Sequence, residues 1–354
     1  MPGRVPLDTI KAMLSEPARV ERLVHLLVPG ATRHGGYWQG PNPTRLRDSG
    51  TSFTVYTNGG FQEFDEMDRP GTVLDLIIYC RQCTFSEALR WAEEFLGLRG
   101  MSDAERRRLD DQARQKAAYA KADEEERRRQ RVAAAQNLYR VAPALKAVGP
   151  VADYLAGRAV PVGAVPNPEN GERQRLDLRL WGPSAKAAPH VGPALVLPIQ
   201  QLDDTISGIQ AIFVQPDGSG KLPVSVPKPI LGEKKGGVVR ISRGPTNRTV
   251  REWLASGERE DLMVFEGYET GRGPAIVIPE CRVWSCLDLG NIGDLPPELA
   301  RHVNRLFVGF ENDTKPEVLR KREKVLEKLE AAGFDWRPFV PPWGNDFNDT
   351  LRGE

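Results

Sequence analysis

The sequence predicts a multidomain α+β protein that ends in an α/β sheet, and three observations carry that prediction. First, the apolar run Leu262-Met263-Val264-Phe265 stops on Glu266 and turns at Gly267, and a second run, Leu306-Phe307-Val308-Gly309-Phe310, stops on Glu311-Asn312-Asp313. Second, strand-like alternation near the N-terminus switches to helical spacing after Pro70-Gly71. Third, positions 102–139 lack Gly and Pro and are dominated by Arg, Glu, Asp, Gln, Lys and Ala. Four segments follow: an N-terminal domain over 1–100, a charged helical linker over 101–148, a mixed α/β core domain over 149–256 and the C-terminal sheet over 257–354.

In the N-terminal domain, positions 15–27 have the spacing of a short amphipathic helix. Thr51 to Tyr56 and Gly60 to Phe64 flank a Thr57-Asn58-Gly59 turn, which suits a hairpin. Val73, Leu74, Ile77 and Ile78 then define one helix, and Leu89, Ala92, Phe95 and Leu96 the face of another. The linker opens on Ser102 and Glu105, a capping-box pair, and its mixed charge describes a solvated helix. In the core domain, positions 194–199 and 206–214 are apolar strands around an Asp203-Asp204 turn. The stretch from Lys221 to Arg251 is the one concentrated basic region; it includes Lys221, Lys228, Lys234, Lys235 and Arg240 and is opposed only by Glu233. Charge of that density suits a polyanion such as a nucleic-acid strand or a triphosphate.

At 354 residues, 40% hydrophobic and 27% charged, the composition is that of an ordinary globular protein, and the net charge of +1 does not by itself select a partner. Four cysteines do not make a disulfide framework, and no apolar stretch has the length of a membrane span. A reduced, cytoplasmic protein with no membrane partner is expected. Cys80-Arg81-Gln82-Cys83 is half of a zinc or redox motif, but its companion pair is missing, so buried or half-buried thiols are expected.

In an open α/β sheet the residues beyond the carboxyl ends of strands line the ligand crevice, so Glu266, Glu311 and Asp313 are candidate ligands for a hard divalent cation. The ordered set Val264-Phe265-Glu266-Gly267-Tyr268-Glu269-Thr270, Gly290-Asn291, Glu311-Asn312-Asp313 and Gly344-Asn345-Asp346-Phe347-Asn348-Asp349 resembles the motifs of the Toprim domain. It is most similar to the version in phage- and plasmid-type primases related to bacterial DnaG primases. The segment from Ala152 to Arg158, Asp217 to Lys221, and Pro227-Lys228 resemble core segments of the same proteins, so the resemblance runs from about Gly35 onward. Two positions depart from the family: Glu311 where it usually has Asp, and Asn345 where it usually has Lys.

The resemblance implies a C-terminal Toprim α/β sheet and synthesis of short RNA primers on a single-stranded DNA template from ribonucleoside triphosphates, with Mg²⁺ or Mn²⁺. It implies a catalytic role for Glu266, Glu311 and Asp313, with Asp349 as a further metal ligand. Glu269, Asn291 and Asp346 fall on flanking motif positions and rank second. The N-terminal layout resembles the zinc ribbon that begins these primases, yet 41–45 and 63–66, where the family places its two ligand pairs, contain neither Cys nor His. A structural zinc site wants S and N ligands, so a metal-free ribbon is expected. The chain has no Walker-type loop, which leaves unwinding to a separate helicase. Two alternatives stand beside the primase reading: a catalytically degenerate primase fold that binds single-stranded DNA in replication, and a Toprim nuclease.

Overall fold

A computed structural model describes residues 5–45, 50–64, 70–98, 101–169, 171–187, 189–312, 315–344 and 346–353. The chain divides into two compact units, Met1–Glu124 and Glu125–Glu354.

The first unit begins with helices α1 (Leu7–Leu14) and α2 (Pro17–Leu27). The helix expected over 15–27 starts at Pro17 because proline is tolerated in a first turn. Four antiparallel strands follow in spatial order, β1 (Thr32–His34), β2 (Tyr37–Gly40), β3 (Phe53–Tyr56) and β4 (Phe61–Glu63), the last two being the expected hairpin. Helices α3 (Val73–Arg81) and α4 (Phe85–Phe95) start on reciprocal capping boxes, Thr72 with Asp75 and Thr84 with Glu87. Phe53, Phe61 and Tyr79 pack ring on ring at the centre. Among the described positions that the resemblance gives to zinc, the side chains make other contacts. Arg45 instead pairs at 3.2 Å with the fully buried Glu63, and Asn42 donates to the Tyr79 hydroxyl at 2.8 Å. Positions 65 and 66 of the second neighbourhood lie outside the described residues. Cys80 is half-buried near the end of α3, and burial pushes its thiol up to about 12.

The linker is a single helix of 39 residues, α5 (Asp103–Val141), opened by the Ser102–Glu105 pair. In the second unit, α6 (Pro150–Gly157), β5 (Arg173–Arg179), α7 (Pro183–Ala187), β6 (Val191–Gln200), β7 (Ile206–Phe213) and β8 (Ile230–Gly232) succeed one another. Their strands form an antiparallel sheet in the order β5-β6-β7-β8. Then come β9 (Val239–Arg243), α8 (Val250–Ser256), β10 (Glu260–Phe265), α9 (Tyr268–Val277), β11 (Arg282–Ser285), α10 (Leu289–Ile292), β12 (Val303–Gly309), α11 (Pro316–Ala331), β13 (Trp336–Phe339) and α12 (Phe347–Arg352). The second sheet has the order β13-β12-β10-β11-β9, with β10, β11, β12 and β13 parallel and β9 antiparallel at the edge.

Strand β10 is central and covered on both faces, which is why its sequence is a continuous apolar run rather than an alternation. Met263 and Phe265 face one cluster with Tyr268 and Phe347, while Leu262 and Val264 face another with Trp253 and Trp284. No helix among the described residues is long and apolar enough to cross a membrane.

Candidate active site

Strands β10 and β12 pair in register, Val264 opposite Val308, so the residues just past their ends, Glu266 and Glu311, open on one edge of the sheet. Gly309 keeps that edge close. A Cβ there would stand 2.1 Å from the Phe265 ring, so only glycine lets β12 lie against it. Glu266 is half-buried. Burial raises its pKa first, the Glu311 and Asp288 carboxylates raise it further, and Arg322 opposes them. Glu311 is exposed, and its carbonyl accepts from Arg322 Nη2 at 2.8 Å. The Arg322 guanidinium lies 4.9 Å from the Phe310 ring centroid.

Asp313 and Asn345 lie outside the described residues. Asp349 is built into the cap of α12: its Oδ2 accepts from the Asp346 N–H at 3.1 Å, and its Oδ1 pairs with Arg352 at 2.7 Å. Among the described residues no group of three or more His, Cys, Asp or Glu is arranged to hold a metal ion. The donor chemistry nevertheless fits magnesium. Glu266 is crowded by another carboxylate, a repulsion that a hard cation relieves, and Mg²⁺ usually takes one or two protein carboxylates together with substrate phosphates.

A second set of contacts joins this edge to the basic stretch. Asp288 caps α10, its Oδ1 accepting the Asn291 N–H at 2.9 Å, and its other oxygen pairs with Lys234. Asn291, 3% exposed, donates to Gly237 O at 2.8 Å and Cys286 O at 2.9 Å, and its Oδ1 accepts from Gly236 N at 2.9 Å. The loop carrying Lys234 and Lys235 is thereby tied beside Glu266. Sequence reasoning named Asn291 but missed Asp288 and Arg322. The one available signal for Asp288 was its place three residues before Asn291, the spacing of a helix cap.

The other predicted residues gather elsewhere. Glu269 is 2% exposed and accepts from the Tyr154 hydroxyl at 2.7 Å and from Lys221 at 3.0 Å. Burial alone would raise its carboxyl, but Lys228 and Lys221 outweigh that and hold it down at about 2. Asp346 pairs with Arg158 at 2.9 Å and caps α12. Arg240 requires a correction. The sequence grouped it with the polyanion-facing cations, yet it is 2% exposed, with Nη1 2.6 Å from Asp204 and 3.8 Å from Glu169. Its guanidinium pairs with the half-exposed Asp204 and the buried Glu169, because β9 buries the span from Val239 to Ser242.

Residues 261–354 match the family model of the Toprim domain, and residues 126–241 match that of a domain of unknown function (DUF7146). Residues 261–354 are therefore a Toprim domain, and the parallel strands β10, β11, β12 and β13, with Glu266 and Glu311 past the ends of β10 and β12, belong to it. Among solved structures, it is similar to the zinc-binding and RNA polymerase domains of the Aquifex aeolicus primase at 13% identity and a TM-score of 0.40, covering 97% of this chain and 82% of that one. Similarity extends to the DnaG primase catalytic domain bound to single-stranded DNA, at 14% identity and a TM-score of 0.40 over 66% of this chain and 79% of that one. The primase fragment of the bacteriophage T7 primase-helicase protein follows at 10% identity and a TM-score of 0.36, over 60% and 70%. A comparison with curated protein sequences found no match.

Proposed function

We propose that this chain is a primase-like nucleotidyltransferase that joins ribonucleoside triphosphates into short RNA on a single-stranded DNA template. The observation that carries the reading is the Toprim edge itself, where Glu266 and Glu311 flank one opening and Lys234 and Lys235 stand on a loop tied beside it. Glu266, Glu311 and Asp313 would hold the Mg²⁺ or Mn²⁺. A divalent ion there supplies neutralisation of the triphosphate and of the attacking 3′ oxygen. Glu266, nearest the reacting oxygens, would either complete the metal shell or accept the proton of the 3′ hydroxyl. Lys234 and Lys235 attract the phosphates, while Lys221 and Lys228 act through Glu269, fixing the helix that follows the catalytic turn. Unwinding would fall to a separate helicase, in the cytoplasm of a bacterial cell.

The test is primer synthesis by the full chain on single-stranded DNA with labelled ribonucleotides, in Mg²⁺ and separately in Mn²⁺. Short products are expected from the wild type, with Glu266→Gln reduced by about 100-fold or more. An absence of product with either metal, together with salt-sensitive DNA binding that Glu266→Gln retains, would replace this reading with the degenerate, DNA-binding one.

A further inference from the structure

We infer that Asp288 is an internal competitor for the phosphates that Lys234 binds, and that Asn291 is the fixed point that holds this competition at the mouth of the crevice. The inference rests on the reading of the Lys234–Lys235 loop as phosphate-facing.

The two halves of the contact differ in strength. The backbone half is buried and rigid: Asn291 ties Gly236 N and Gly237 O at once, and the path admits no side chain at Gly237, where a Cβ would stand 2.7 Å from Ile199. Gly236 has φ +68°, a conformation that glycine adopts without strain. The side-chain half is exposed, with Lys234 at 45% and Asp288 at 40%. An ion pair that open to water is weak and exchangeable, so a phosphate arriving at the crevice can take Lys234 from Asp288 while the loop backbone stays in place. Asp288 also lies in the field of Glu266, so the exchange occurs beside the carboxylates. Positioning and competition therefore reside in residues three apart, and their removal has opposite effects.

The experiment measures binding of a fluorescein-labelled oligo-dT by the full chain, by anisotropy over a range of salt, with inorganic triphosphate as the competing anion. Asp288→Asn keeps the helix cap, since Asn caps as well as Asp, and frees Lys234. It is expected to bind about threefold more tightly, the scale of one exposed ion pair. Asn291→Ala is expected to bind severalfold more weakly. Lys234→Ala should weaken binding and lower the salt slope by about 0.7, the contribution of one phosphate contact on a single strand. The decisive arm is Asp288→Asn in the Lys234→Ala background, where the tightening should vanish.

A merely structural role would weaken binding in Asp288→Asn and Asn291→Ala alike, and that result overturns the inference. Tightening that persists without Lys234 also overturns it, by making Asp288 a general repulsive charge. A wild type that binds neither oligo-dT nor triphosphate defeats the functional reading and this inference with it. A wild type that binds with a normal salt slope and is unmoved by Asp288→Asn defeats this inference alone.

Discussion

Glu266 and Glu269 stand on either side of one turn, three residues apart, yet their carboxyls are driven in opposite directions. Burial raises both. Around Glu266 the charged neighbours are the carboxylates of Glu311 and Asp288, which raise it further, while Arg322 and the Leu289 backbone N–H oppose them. Around Glu269 they are Lys228, Lys221 and the Tyr154 hydroxyl, which overcome a deeper burial and hold the group near 2. The sign of the shift is set by the charge of the neighbours, not by depth. The contrast separates a protonatable group at the edge of the sheet from a permanently charged one that holds α9 in place.

The largest effect that would break this contrast is at Glu269. Glu269→Leu leaves Lys221, Lys228 and the Tyr154 hydroxyl without their buried carboxylate and is expected to cost about 3 kcal/mol of stability, read by urea unfolding. Because the folded carboxyl lies below its ordinary value of 4.5, its contribution is complete above that pH and is lost as pH falls toward about 2. The gap between wild type and variant should therefore close over that window; a gap unchanged at pH 2.5 would sink the electrostatic account. Next in size is Gly309→Ala, whose methyl meets the Phe265 ring and should cost about 2 kcal/mol while displacing Glu311 from its neighbour. Its stability loss should come with reduced primer synthesis.

The smallest effect carries the opposite sign. Glu266→Gln should raise the thermal midpoint at pH 7, by less than about 1 kcal/mol in stability, because it removes a carboxylate from repulsive company. Here the folded carboxyl lies above its ordinary value of 4.5, so its penalty grows as pH rises from there through the folded value, and is absent at lower pH. The advantage of the Gln variant should disappear in mildly acidic buffer; a variant less stable than wild type at pH 7 would contradict the contrast.

Much of this was legible in the sequence. The ends of β10 and β12 could be read because a buried parallel strand is a continuous apolar run and an acid that ends it is conspicuous. The linker helix could be read because 39 residues carry no helix breaker. What the sequence hid were pairings across long separations. Arg240 has the same composition signal as Lys234, but its partners Asp204 and Glu169 lie far up the chain, and only the fold shows that they enclose it. Lys221 and Lys228 read as solvent-facing cations for the same reason, until Glu269 is found beneath them. Asp288 was passed over because one acid after Cys286-Leu287 has no pattern until a lysine from 54 residues upstream is set against it.

Strand order also fixes when the crevice can exist during synthesis. Strand β10 is flanked by β11 and β12, so its carboxyl end acquires its second wall only after the chain through Gly309 has been made. Parallel pairing has no hairpin to nucleate it, and each crossover must close before its contacts form. A nascent chain that has already presented the Lys221–Lys235 cations to its surroundings therefore has, for the time it takes to add the remaining residues, a basic surface with no completed acidic partner.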